Sequence, residues 1–407
     1  MPHRPVALCP ACSSGVSRRR FIGGAATAAA AAATLSPGSV ALAKSDHVRE
    51  PDGYSYSPQL RIDCHHHIFP KVWLDYVDRQ GGWTAIGLAP LFTPVIPGGH
   101  LEFMDTWNID VAVVSLVPPA CAFGSLDDRR ATARAVNEFG AGLLRDHGDR
   151  FGFLATSPLP DVDSTLDEIR YAFDTLHVDG FAVSTNYFGD YMGNPTFEPV
   201  YAELSSRQAV VLVHPTNPPY APPNIGGFPF PLPHFYFEWI ADSARAMTNI
   251  IYRGVAKRYP NIRWIFMHGG GAMTAYAFRQ AAAHAFSPGF NQQLPEGPLP
   301  YLQRFYWDTA QAYTPAPMLS VKELAPVTHI LCGTDWPPIK NFYEHAQTVV
   351  PWPASQLPDP SVGDPAPALS LVFSKKERRM IDAGNALGLF PRLEQRVNLV
   401  RPARRAR

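Results

Sequence analysis

The chain has 407 residues, 46% of them apolar and 17% charged, which excludes a disordered polymer and allows one large α/β barrel or two ordinary domains. The formal charge of zero hides an asymmetry: residues 1–43 carry four arginines and no acid, leaving 31 basic against 35 acidic side chains in the remainder. A mildly acidic body has no electrostatic footprint for nucleic acid. Proline, at 42 residues, is about twice its usual share and is spread along the chain, which indicates many ordered connections.

The first 43 residues read as an export signal. Ser17-Arg18-Arg19-Arg20-Phe21-Ile22 has the serine, twin arginine and hydrophobic pair of a twin-arginine signal, followed by an Ala-rich run to Leu35 and the cleavage pattern Ala41-Leu42-Ala43. The run is too short and too poor in large apolar residues for a membrane span. The expectation is a mature protein that is periplasmic or secreted, with no membrane association after cleavage. Cys9 and Cys12 fall inside the removable segment; the mature chain keeps Cys64, Cys121 and Cys332, each in an apolar run, so no disulfide framework is expected.

Residues 44–59 are polar and read as a linker. From Leu60 onward, short β-branched runs alternate with amphipathic stretches. Strands are expected at 60–65, 110–117, 150–156, 179–185, 209–214, 262–268, 305–309 and 328–333. Helices are expected near 127–147, 162–176, 196–207, 238–259, 271–285 and 315–325. Ser374 and Glu377 have capping-box spacing and open a last helix to about Leu387. There is no internal repeat, and no G-x-G-x-x-G follows a strand. A (β/α)8 barrel over 60–392 with enlarged Pro-rich loops is therefore expected, then a basic tail at 393–407 whose Arg401, Arg404, Arg405 and Arg407 form a solvated end. The enlarged loops are the stretch from Pro215 to His234, with aromatics at Phe228, Phe230, Phe235, Tyr236 and Phe237, and the stretch from Pro351 to Pro367. Both are expected to leave the catalytic mouth, where they would line a pocket or pack on its rim.

Five strand ends carry metal-binding residue types: His65 and His67, His214 before Pro215, His268 before three glycines, Asp308, and Asp335 after a Gly333-Thr334 turn. In a parallel barrel such side chains converge at one mouth. Residues i and i+2 of a strand share a face, so His65 and His67 can reach one ion while His66 points away. Asp335 is costly to bury unless paired or metal-bound. The glycines after His268 let backbone or substrate come close to the imidazole, which suits a catalytic base.

The order D-x-H-x-H-x-x-P, strand–His-Pro, strand–His-Gly-Gly-Gly and Gly-Thr-Asp-Trp-Pro resembles the amidohydrolase superfamily. Within it, the chain is similar to the amidohydrolase-related branch that contains aminocarboxymuconate-semialdehyde decarboxylase and the aromatic-acid decarboxylases. The likeness runs from about Leu60 to Leu389 and includes Gly384-Asn385-Ala386. Phe151-Gly152-Phe153, Ser157-Pro158-Leu159-Pro160-Asp161 and the run from Phe197 to Leu204 resemble the 6-methylsalicylate decarboxylase group.

The resemblance implies His65, His67, His214 and Asp335 as ligands of one divalent metal and His268 as acid/base. Some relatives have a carboxylate ligand in the first motif and use manganese; this chain keeps both histidines, favouring zinc, with manganese as the alternative. Some aromatic-acid decarboxylases place a glutamate where this chain has Gly271, which leaves the proton relay open. No lysine stands at a strand end as a carbamylated, two-metal site needs. The expected activity is non-oxidative decarboxylation of a small hydroxylated aromatic or related unsaturated acid. The proton donor would be Asp335, or water primed by His268; Trp336 and the 228–237 aromatics would wall the ring, and Arg245 would meet a substrate carboxylate. A homodimer is expected. Two alternatives remain: hydrolysis of a lactone, ester or amide at the same site, and metal binding without catalysis, which the presence of His268 disfavours.

Overall fold

Both faces of a parallel sheet are covered in an α/β protein, so its strands read as continuous apolar runs rather than alternating ones. The computed structural model describes residues 60–82, 97–219 and 234–397. The expected export signal, the linker at 44–59, the centre of the first Pro-rich insertion and the arginines of the tail lie outside them.

Eight strands follow one another around a single sheet in chain order: β1 (Ile62–Ile68), β2 (Val111–Leu116), β3 (Phe151–Ala155), β4 (Gly180–Ser184), β5 (Val210–His214), β6 (Arg263–Phe266), β7 (Tyr306–Asp308) and β8 (Ile330–Leu331). Every neighbouring pair is parallel. Backbone hydrogen bonds close the ring between β1 and the chain leaving β8: Cys64 N–H to Cys332 O at 2.8 Å, Asp335 N–H to His65 O at 2.7 Å and His67 N–H to Trp336 O at 2.8 Å. Each of the eight expected strands is present, and the fold is a (β/α)8 barrel.

The outer layer comprises α1 (Lys71–Arg79), α2 (Pro97–Thr106), α3 (Leu126–His147), α4 (Val162–Asp174), α5 (Glu198–Ser206), α6 (Glu238–Tyr252), α7 (Met273–Ala282), α8 (Pro315–Leu324) and α9 (Lys340–Val349). Ser125 caps α3 by accepting from Asp128 N–H, and Asp161 caps α4 by accepting from Ser164 N–H. Helices α1, α2 and α9 go beyond the sequence expectation, and α1 and α9 do not announce their starts: Pro70 and Ile339 stand at their N-caps with no side-chain hydrogen bond. Among the described residues no helix is long and apolar enough to cross a membrane.

The barrel interior is a packed core. Ile62, Val111, Val113, Leu212, Ile265 and Leu331 point inward, and Leu389, Phe390, Leu393 and Val397 close the N-terminal end of the barrel beneath them. The tail expected from 393 therefore begins later: residues 391–397 are helical, and Leu393 is fully buried because its side chain completes that floor.

The second Pro-rich insertion also departs from expectation. Helix α9 carries the chain about 15 Å back along the barrel before the insertion begins. Its Asp364 then meets Arg61 at 3.2 Å and Arg378 at 3.2 Å, at the start of β1 and away from the mouth. Burial would raise the Asp364 pKa, but Arg378 and Arg61 hold it below the usual carboxylate range. A buried ion network of this kind is costly to break, so it fixes the insertion to the floor rather than to the pocket.

Replacing Leu393 by Ala should cost about 2–5 kcal/mol of stability. Urea unfolding followed by circular dichroism measures it, and a loss below about 0.5 kcal/mol, the range of surface substitutions, would place Leu393 outside the core.

Candidate metal centre

A bulge in β1 sets the aim of the first two histidines. Asp63 and His66 of β1 pair with Ala112 and Val114 of β2, so β1 carries one extra residue across that step. Below the bulge Cys64 belongs to the barrel core; above it, His65 and His67 turn to the interior and His66 faces outward. The bulge is held by Asp63, which accepts from His65 N–H at 3.0 Å, Thr334 N–H at 3.0 Å and Thr334 Oγ1 at 2.5 Å. His66 is structural as expected: its Nδ1 lies 3.0 Å from Asp63 Oδ2 and its Nε2 lies 2.9 Å from His100.

The structure brings His65, His67, His214 and Asp335 together, with one potential ligand atom from each within 4.8 Å of all the others. Nε2 of His65 and of His67 are each 3.2 Å from Asp335 Oδ1, and 3.2 Å from each other. His214 Nδ1–H donates to Pro215 O at 2.8 Å, which leaves Nε2 with its lone pair facing inward, buried and without a hydrogen-bond partner. His65 Nδ1 is bound by Asp308, so Nε2 is the nitrogen of that ring that faces the cluster. A metal ligand whose other nitrogen is tied to a carboxylate or carbonyl has its tautomer fixed. The donor set therefore fits one divalent cation.

His268 stands beside these four. Its Nε2 is 3.2 Å from Asp335 Oδ2, and its ring centroid is 5.0 Å from that of His65. The glycines after it allow the close approach: a Cβ on Gly270 would lie 2.2 Å from the Trp307 ring, and one on Gly271 would lie 2.3 Å from Ile240 O.

The electrostatics follow from burial. Desolvation disfavours a charged His65, but the Asp335 and Asp308 carboxylates outweigh it and hold its pKa up to about 10. Burial depresses His67, as does its charged neighbour His65, although Asp335 opposes them. Burial and three adjacent imidazoles place His214 well below its ordinary value. Burial alone would raise Asp335; His65, then His268 and His67, bring it well below the usual carboxylate range. Positive charge is therefore favoured at this point of the cluster, beside Asp335 and Asp308.

Other expected residues stand elsewhere. Asp308 serves His65 Nδ1 and accepts from Gly269 N–H at 3.1 Å, so it orients a ligand rather than joining the four. The Trp336 ring stacks on Phe103 with centroids 4.6 Å apart and borders a cavity of about 420 Å³ with Trp107, Lys340 and Tyr343, on the outward face shared with His66. Trp336 pairs with His66 across the seam and so shares its outward face. Arg245 lies on α6, 40% exposed, with Glu238 of the same helix 3.9 Å away. Neither joins the cluster.

Two residues with no marked sequence signal do reach it. Trp239 sits edge-on to His214, centroids 5.6 Å apart, with Nε1–H donating to Asn217 Oδ1 at 2.6 Å; in the sequence it is one aromatic in an apolar helix face. Gln311 donates to Asp335 Oδ2 from a turn that carries no motif.

The amidohydrolase family profile matches residues 62–392. The chain is 28% identical over 346 residues to 6-methylsalicylic acid decarboxylase of Penicillium expansum, covering 82% of this chain and 97% of that protein. It is 30% identical to 6-methylsalicylic acid decarboxylase of Aspergillus aculeatus over 83% of this chain and 97% of that protein. The fold superposes on a 5-carboxyvanillate decarboxylase from Novosphingobium aromaticivorans, a structure with bound manganese, at a TM-score of 0.64 and 17% identity, covering 82% of this chain and 97% of that one.

Because a metal ion must displace the His65 proton, its affinity should rise by up to about tenfold per pH unit from roughly pH 6 to pH 9, below the folded His65 value. Competition against a chelator at several pH values measures this, and a flat profile would show that His65 is not a ligand.

Proposed function

Since the chain belongs to the amidohydrolase family, we propose that it is a metal-dependent carboxy-lyase that removes carbon dioxide, without oxidation, from a small hydroxylated aromatic acid. The observation that carries this reading is the convergence of three imidazoles and Asp335 on one point with His268 at its edge, in a chain related over most of its length to aromatic-acid decarboxylases.

Direct loss of carbon dioxide would leave an electron pair in the plane of the ring as a carbanion. Adding a proton to that ring carbon first lets the carbon–carboxyl electron pair return to the ring as the bond breaks, restoring aromaticity. The net change is one proton gained by the ring and one carbon dioxide released. His65, His67, His214 and Asp335 would hold a divalent cation, which would supply Lewis-acid charge to the site. His268 Nε2 and Asp335 Oδ2, 3.2 Å apart, are the pair that holds the proton for the ring carbon. Burial of both excludes bulk water, which strengthens each interaction in the site. Trp239, edge-on to His214, offers the ring an apolar wall in place of Trp336.

Zinc is the preferred ion, because three imidazoles with one carboxylate suit it, and manganese is the alternative. A homodimer belongs to the same reading: Phe278 and Phe286 are 84% and 85% exposed, apolar surface that a second copy would cover. Export belongs to it as well, on the strength of Arg18-Arg19 and Ala41-Leu42-Ala43. Paired Arg18→Lys and Arg19→Lys changes should hold the precursor inside the cell, and unaltered secretion would remove the twin-arginine route.

Incubation with a panel of hydroxybenzoates and of lactones and amides, followed by product mass, tests the activity. Loss of carbon dioxide supports it, and gain of water would mean hydrolysis instead. His268→Ala should keep the metal and lose at least about a hundredfold in turnover, whereas His214→Ala should lose both metal and turnover. Metal analysis beside the rate measurement distinguishes the two, and a fully active His268→Ala protein would remove that residue from the reaction.

A further inference from the structure

Three of the non-glycine residues with left-handed backbone meet at one carboxylate. His268 (φ 58°), Gln311 (φ 54°) and Asp335 (φ 60°) leave the ends of β6, β7 and β8 respectively. Such conformations are unfavourable for residues with a Cβ, and they persist where the surroundings impose them, often at functional sites. The outcome here is a division of labour between the oxygens of Asp335. Oδ1 faces His65 and His67, each at 3.2 Å. Oδ2 faces away from that pair and receives the Gln311 side-chain amide, with His268 Nε2 at 3.2 Å.

The turn that presents Gln311 is built to aim it. Ala312 N–H donates to Thr309 O at 3.1 Å, and Ala310 and Ala312 on either side are buried. Gln311 itself is exposed and reaches back to the carboxylate from the solvent side. Gly269 lets the β6 loop lie directly against this turn, since a Cβ there would come within 2.9 Å of the Ala312 methyl. A side chain that packs for stability would be buried; this one is exposed and spends its donor on a single buried oxygen.

We propose that Gln311 is a positioning residue for the metal centre: its amide anchors Asp335 Oδ2 and so fixes Oδ1 toward the ion. The inference rests on the reading of His65, His67, His214 and Asp335 as metal ligands. Partners that orient a ligating carboxylate are worth about 10–100-fold in metal affinity when removed.

The test uses the full chain, stripped of metal with a chelator and titrated with Zn2+ and Mn2+ against a fluorescent competitor. Gln311→Gly is the informative variant, because glycine accepts the left-handed backbone and removes only the side chain. Its affinity should fall about 10–100-fold, with the metal-free melting temperature unchanged. Gln311→Glu, which places an acceptor against Oδ2, should fall at least as far. Gln311→Gly binding as tightly as the parent would overturn the inference while leaving the four ligands standing. A parent chain that binds neither ion would overturn both.

Discussion

Three inward-facing imidazoles and a carboxylate, all buried, form a concentration of lone pairs at the mouth of the barrel. The Asp335 and Asp308 carboxylates hold the His65 pKa up to about 10 against its burial. Much of the surrounding architecture serves this constraint. Asp308 and the Pro215 carbonyl occupy the far nitrogens of His65 and His214, so the near ones are free. Asp63 ties the β1 bulge to the Thr334 turn and thereby fixes two ligand-bearing segments relative to each other.

Stability and chemistry are placed at opposite ends of the barrel, as they are in parallel barrels generally. The N-terminal end is closed by Leu389, Phe390, Leu393 and Val397 and locked by Arg61, Asp364 and Arg378. That network satisfies charges which would otherwise be costly to bury. The C-terminal end carries His268, Gln311 and Asp335 in left-handed backbone, a conformation that Asn108, His177 and Gln208 also adopt just before β2, β4 and β5 at the other end.

The seam between β1 and β8 joins these two roles. β8 is only two residues long, and the barrel closes there through Cys64, His65 and His67 bonding to Cys332, Asp335 and Trp336. The hydrogen bonds that complete the fold therefore run through residues beside or within the ligand set. The bulge and its Asp63 clamp are wholly buried at this seam.

The strand pattern, the paired histidines and the order of the strand-end motifs were legible because each is local: apolar runs have a length, and i, i+2 spacing has a face. Once eight strands are placed in order in a parallel barrel, convergence of their ends follows from geometry, and the likeness to the amidohydrolase superfamily singled out His65, His67, His214 and Asp335 among the strand-end candidates. Orientation and loop paths could not be read in the same way. Trp336 follows Asp335 in sequence yet faces outward, because it pairs with His66 across the seam and packs on Phe103. The insertion at 351–367 leaves the mouth on an uncapped helix that no local signal announces. Gln311 acts through one hydrogen bond across two loops, and a contact of that kind has no sequence period. Linear pattern determined which groups meet; the bulge, the helix reversal and the left-handed turns decided how each one is aimed, since those depend on contacts between segments far apart in the chain.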